Sequence, residues 1–157
     1  MKKPIPLLLI LASFLISLSV VAKAEASEFN ILTNIKKIPP SLGSCHMDSC
    51  SWSKPISVHA VQKSSEQAVL EVNLLGGESA NENGKIKWNE KPHKITIVCS
   101  SQHPSVSIDD QTDELALNPD GVAGVFTSGA NLYFQYCHSY TGDDGEASKK
   151  FGYNIRE

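Results

Sequence analysis

Four cysteines in a chain that opens with an export leader constrain this sequence more than any other feature. Residues 1–24 begin with Lys2-Lys3, run through an apolar stretch from Ile5 to Val21, and end in Ala22-Lys23-Ala24. This positive, apolar and small-residue order is that of a secretory signal peptide cleaved after Ala24, with Ala24 and Ala26 as a second candidate pair. An uncleaved membrane anchor, which needs roughly 20 apolar residues, is the competing reading. Pro6, Ser13, Ser17 and Ser19 interrupt the stretch, and its small-residue exit favours cleavage, so no stable membrane anchor is expected afterwards.

Cys45, Cys50, Cys99 and Cys137 all lie in the mature part. Nothing outside the cytoplasm keeps thiols reduced, so an even number reads as disulfides in a periplasmic or secreted protein. Four cysteines allow three pairings. We favour Cys45–Cys50 with Cys99–Cys137, because four intervening residues close a tight loop and the other two cysteines end strand-like runs.

Cleavage leaves 133 of the 157 residues, enough for one domain with a single core. It also removes Lys2, Lys3 and Lys23 with no acid, moving the formal net charge from −3 to −6. An acidic surface without clustered Lys and Arg argues against a nucleic-acid partner.

Residues 25–40 form a lead in which Phe29, Leu32, Ile35 and Ile38 recur at helical spacing before Pro39-Pro40; one short N-terminal helix or an extended arm is compatible with this, and a loosely attached helix is favoured. Residues 41–157 read as a single β domain whose first part, through Lys54-Pro55, is a Cys-containing loop. Period-two patterns then predict a hairpin from residues 56–62 and 69–75, followed by strands at 85–88, 94–99 and 105–108. The alternation of Leu132, Phe134 and Tyr136 with Tyr133, Gln135 and Cys137 predicts a strand at 131–137, and 151–155 a last edge strand. Turns are expected at Asn118-Pro119-Asp120-Gly121 and Gly142-Asp143-Asp144-Gly145. The expected fold is mainly β, a small antiparallel sandwich or barrel with disulfides.

Reactive constellations are weak. Cys45-His46-Met47-Asp48-Ser49-Cys50 and Cys137-His138 contain metal-ligand types, but not at zinc-finger spacing, and oxidation would consume the thiols. No Gly-x-Ser-x-Gly elbow or His-Glu-x-x-His pair occurs, and each of the five histidines reads as a surface or strand-edge imidazole. Asp109, Asp110, Asp113 and Glu114 lack the ligand alternation of a calcium loop and read as a solvated acidic loop. No catalytic residue, metal ligand or cofactor is therefore expected. Trp52 and Trp88, with four tyrosines, offer a platform for sugar or protein contacts, and Trp52, between serines, is the ring expected to be partly exposed.

The blocks Cys50-Ser51-Trp52-Ser53-Lys54, Leu74-Leu75-Gly76-Gly77, Trp88-Asn89 with Cys99, and Tyr136-Cys137-His138 resemble a group of small exported bacterial proteins of unassigned function. Separately, Ser128-Gly129-Ala130-Asn131-Leu132-Tyr133 is similar to the Ser-Gly-x-x-Tyr signature of periplasmic lysozyme inhibitors, with Tyr133 one residue later than in that family. Those inhibitors are small β-barrels that insert the motif loop into the lysozyme cleft, so the resemblance implies Ser128, Gly129 and Tyr133 as partner contacts. The expected function is that of an exported, non-enzymatic binding protein, with another protein or a cell-wall component as partner and inhibition of a cell-wall hydrolase as one form. The alternatives are an exported hydrolase or metal-handling protein with a dispersed site, and an immunity or accessory protein for a toxin.

Overall fold

The computed structural model describes residues 29–156; the expected signal peptide lies outside them. Seven strands form one antiparallel sheet: β1 (Ser41–His46), β2 (Ser49–Lys63), β3 (Gln67–Ser79), β4 (Lys87–Trp88), β5 (His93–Ser100), β6 (Ser105–Ile108) and β7 (Gln111–Glu114). Hydrogen-bonded neighbours run β1-β2-β3-β5-β6-β7, and β4 adds a short pairing to β3. The expected mainly β architecture is present as a half-barrel.

Register explains the core. Along β3, Ala68, Leu70, Val72 and Leu74 are buried, alternating with half-buried Val69, Glu71, Asn73 and Leu75. The inward set pairs with Cys99, Ile97, Ile95 and His93 of β5, while Val58 of β2 stands opposite Val72. Side chains of period two thus make one apolar face, each buried Leu, Ile or Val contributing about 1.5–3 kcal/mol. The other face is polar: Lys94 bonds Glu71 at 3.1 Å and the Asn73 amide donates to Ser57 Oγ at 2.8 Å. So exposed an ion pair contributes at most about 1 kcal/mol, and this face simply stays wet.

The apolar face is closed by a helix instead of a second sheet. α1 (Thr127–His138) packs across β5 and β6 and reaches β1, and α2 (Asp144–Phe151) lies against α1. Residues 131–137 are thus helical, correcting the expected strand. Ala130, Tyr133, Phe134 and Cys137 follow the i, i+3, i+4, i+7 spacing of a helix stripe, and all four are buried. Ser139 ends the helix in the left-handed region at φ 52°, its N–H donating to the Phe134 carbonyl. The expected turn at 142–145 is the start of α2: Asp143 Oδ1 accepts from the Glu146 N–H at 2.9 Å, Asp144 and Glu146 occupy the first turn, and Gly152 at φ 77° follows the last. Residues 151–155 form no strand; the Tyr153 N–H donates to the Ser148 carbonyl and the Ile155 N–H to the Leu117 carbonyl, each at 2.8 Å, and the Tyr153 hydroxyl anchors in the core.

Over its described residues, 29–40, the lead is an extended arm, the second of the two expected forms, and not the favoured helix. Among these residues a 3-10 turn at Ile35–Lys37 is the sole helical piece, capped by Asn34, whose side chain accepts from the Lys36 N–H. Phe29, Ile31 and Leu32 pack on the core, and the Leu32 N–H donates to the Tyr136 carbonyl at 3.0 Å. The segment expected as a Cys-containing loop is instead the β1-β2 hairpin, with Cys45 opposite Cys50. Of the expected acidic loop, only Asp109-Asp110 is a turn, between β6 and β7; Asp113 and Glu114 lie on β7, paired with Val106 and Ser105.

Both favoured disulfides are closed. Cys45–Cys50 spans an exposed hairpin tip, and Cys99–Cys137 bonds β5 to α1 in the core, with both residues fully buried. Paired cysteines are the mark of a non-cytoplasmic protein. Among the described residues no helix is long and apolar enough to cross a membrane.

Gly77 fixes how Trp88 sits. A Cβ there would lie 2.7 Å from Trp88 Cε3 and 2.8 Å from Ile86 Cγ2, so the bare backbone is what lets the indole lie against β3. Gly77→Ala is expected to displace the β4 segment and cost about 1–3 kcal/mol by overpacking. Urea unfolding followed by tryptophan fluorescence checks it, an unchanged midpoint contradicting the close approach.

Candidate functional site

The seam between β1 and α1 does not close. On one side of β1 a cleft of about 150 Å³ runs between Trp52 and His93 on the sheet and Ser128 and Leu132 on the helix. On the other side, Pro39, Pro40, Phe134, Gln135, Tyr140 and Thr141 enclose a cavity of about 280 Å³. Ser41, Leu42 and Asn131 line both, so the two volumes flank one strand and one helix turn. The openings arise because β1 carries Ser41 and Gly43 where a core strand would carry bulk, and because the proline pair turns the chain away from α1.

Trp52 lines the cleft and is anchored by a hydrogen bond. Its indole N–H donates to Ser79 Oγ at 2.7 Å, and that hydroxyl donates to the Asn81 carbonyl at 2.6 Å. The ring is half-buried, in keeping with the sequence expectation, and the satisfied N–H leaves its apolar surface as the part available to a ligand.

The cavity on the other side has a distinctive polar group. Gln135 is 3% exposed; its Oε1 accepts from Ser41 Oγ at 2.8 Å, and its Nε2 has no partner. Turning the amide over would exchange the two ends, so the protein itself satisfies one end of it only. The Asn131 carboxamide and the Thr141 hydroxyl also line the cavity.

The residues expected to contact a partner divide. Trp52 and Ser128 meet across the cleft, and Ser128 is exposed. Gly129 faces inward, with Leu115 Cδ2 3.4 Å from where its Cβ would be. Tyr133 has no exposed surface, so the ring expected at a partner interface is a core residue. The physical reason is the helix: the Ser128 to Tyr133 segment forms the first turns of α1, and its ring points under the sheet. Tyr140, one of the four tyrosines expected in an aromatic platform, lines the cavity, whereas Asn131 and Gln135 went unrecognised in sequence because a strand reading puts them on one face with Tyr133, and i, i+4 on a helix stacks them beside the cavity.

Tyr133 belongs to a buried polar chain. Its hydroxyl donates to the Ser100 carbonyl at 2.9 Å and accepts from the Ser100 N–H at 3.1 Å. Tyr153 Oη lies 2.7 Å from it and 2.8 Å from His138 Nε2. With the Tyr133 proton committed to Ser100, Tyr153 donates to Tyr133, so His138 donates from Nε2 and its Nδ1 is a bare acceptor. Nδ1 has no partner and the imidazole stacks on Phe151 at 4.1 Å, with Phe29 at 5.5 Å. Burial pushes the imidazole down to about 4, and burial first and then the neighbouring phenol push the Tyr133 hydroxyl up. His138 is thus neither a surface nor a strand-edge imidazole; it braces the core.

Among the described residues no three His, Cys, Asp or Glu side chains converge as a metal site, and all four thiols are spent in disulfides. No protein-family model matches the chain, and no curated protein or solved structure matches it either.

Proposed function

We propose that this is an exported, non-enzymatic binding protein that attaches to a component of the cell envelope through the seam between β1 and α1. One observation carries the reading: Trp52 and Ser128, far apart in sequence, line a single cleft, and the indole N–H is already satisfied by Ser79. Aromatic anchors of this kind dominate binding energy because they present large area with little conformational freedom to lose. The chemistry supports binding over turnover. The thiols are locked as disulfides and His138 is enclosed by rings, which leaves His93 as the sole imidazole lining the cleft.

Co-sedimentation with purified cell-wall sacculi tests the reading. The mature protein is expected to pellet with the walls, and Trp52→Ala is expected to weaken binding at least about thirtyfold, the effect of losing a 2 kcal/mol anchor. Ser128→Arg, at an exposed helix position, is expected to weaken it without lowering the unfolding temperature. A protein that stays in the supernatant, or two variants that pellet as well as the parent, would overturn it. Slowing of a lysozyme turbidity assay by the parent but not by Ser128→Arg would assign the contact to a cell-wall hydrolase instead.

A further inference from the structure

We infer that the cavity of about 280 Å³ between the Pro39–Leu42 stretch and α1 binds a single uncharged sugar ring. The inference rests on the envelope-binding reading and names the ligand class for the second half of the same seam. Three features of the cavity select that class.

The first is charge. None of the residues that enclose the cavity is ionisable near neutral pH: prolines, Phe134, Leu42 and Gly142 alternate with hydroxyls, two amides and the Tyr140 phenol. A carboxylate, phosphate or ammonium placed there would lose its water without gaining a countercharge, which costs far more than burying a neutral group. The second is the mixture of polar types. The half-buried Asn131 amide and the exposed Thr141 hydroxyl each donate and accept at the wall, and behind them Gln135, 3% exposed, keeps an Nε2 donor that no protein group meets. Hydroxyl groups, which do both, match such a lining better than a ligand of acceptors or donors alone. The third is shape and size. Proline and aromatic walls suit the apolar faces of a saturated ring while the amides meet its hydroxylated edge, and the volume falls just below the roughly 300–1,000 Å³ of most small-molecule sites. One ring fits that description; a peptide segment does not.

Titration of the mature protein with glucose, N-acetylglucosamine and glucuronic acid, followed by side-chain amide NMR, tests the assignment. The two neutral sugars are expected to shift the Asn131 and Gln135 amide resonances, and glucuronic acid to bind at least tenfold more weakly. Gln135→Met, which keeps the volume and removes the amide, should lower affinity for the neutral sugars about tenfold. Should that variant fail to fold, Asn131→Leu at a half-exposed position is expected to give the same loss. A disaccharide fragment of peptidoglycan that binds tighter than either monosaccharide would identify the glycan as the source, and equal binding a free sugar. Silence of both amides at saturating neutral sugar, or equal binding of glucuronic acid, would overturn the assignment. Wall attachment that survives such a result, still sensitive to Ser128→Arg, would leave the outer cleft reading standing; sugar binding without wall attachment would uphold this site and remove that reading.

Discussion

Cys99→Ala with Cys137→Ala is expected to lower the unfolding temperature by about 12–20 °C, whereas the same change at Cys45 and Cys50 costs less than half as much. The two bonds differ in what they close. Cys99 and Cys137 are 38 residues apart, and in the loop-entropy account a loop of that length is worth about 4 kcal/mol. Cys45 and Cys50 are 5 apart, for which the same account gives about 2 kcal/mol. Location widens the gap. The long closure bolts α1 to β5 between fully buried residues, so its loss frees the helix that roofs the apolar face of the sheet. The short one pins a hairpin tip where Met47 is entirely exposed, and its loss frays that tip. Against a total stability of roughly 5–15 kcal/mol, the first loss is a large fraction and the second is not. Differential scanning calorimetry of the two double variants decides the matter, and equal losses would contradict the assigned roles. A graded reductant offers the same comparison without mutation: Cys45, exposed at the tip, should open before the core pair does.

What the sequence discloses depends on which physical signal dominates each segment. β3 and β5 are legible because a half-buried strand must alternate, and Ala68, Leu70, Val72 and Leu74 against Ile95, Ile97 and Cys99 do so without interruption. β1 is not, since Ser41, Leu42, Gly43 and Ser44 carry no alternation; the strand exists because β2 offers it a hydrogen-bonding edge and a disulfide holds its end. Residues 131–137 mislead for a different reason. On α1 every position from Tyr133 to His138 is buried, so the run satisfies a two-residue and a 3.6-residue period at once. The tie is broken at the two ends, by buried Ala130 one turn earlier and by the left-handed Ser139 that stops the helix, not by the apolar run itself. α2 had its own signal, an Asp143 cap with acids in the first turn, lysines in the last and Gly152 after, but the adjacent Gly142 and Gly145 make the same letters look like a turn. The candidate site inherits these outcomes. Trp52 was legible from its polar neighbours, whereas Gln135 acquires meaning only once a helix places it against Ser41, a contact across 94 residues of sequence.

Acidification should destabilise the fold through one histidine. The imidazole of His138 is pushed from an ordinary 6.5 down to about 4 by burial, because a second proton would sit on Nδ1, where no acceptor meets it. Above pH 6.5 folded and unfolded chains both carry it neutral, and the full stability is present. Between pH 6.5 and about 4 the unfolded chain takes up a proton that the folded one declines, so stability falls as pH falls, and below about 4 the contribution levels off. The two limits are separated by about 3 kcal/mol. Its titratable contacts are the phenols of Tyr133 and Tyr153, and burial pushes the Tyr133 hydroxyl further up, away from this range. His138→Gln keeps an N–H for Tyr153 and removes the titration, so it should be less stable than the parent at neutral pH yet lose less on acidification. Subtracting the two urea-unfolding series cancels the surface carboxylates common to both proteins and leaves this step alone. A difference that stays constant from neutral pH to pH 4, or that grows in the variant's disfavour as acid is added, would mean that the imidazole is not buried as a neutral base, and the proton chain from His138 through Tyr153 and Tyr133 to Ser100 would have to be redrawn.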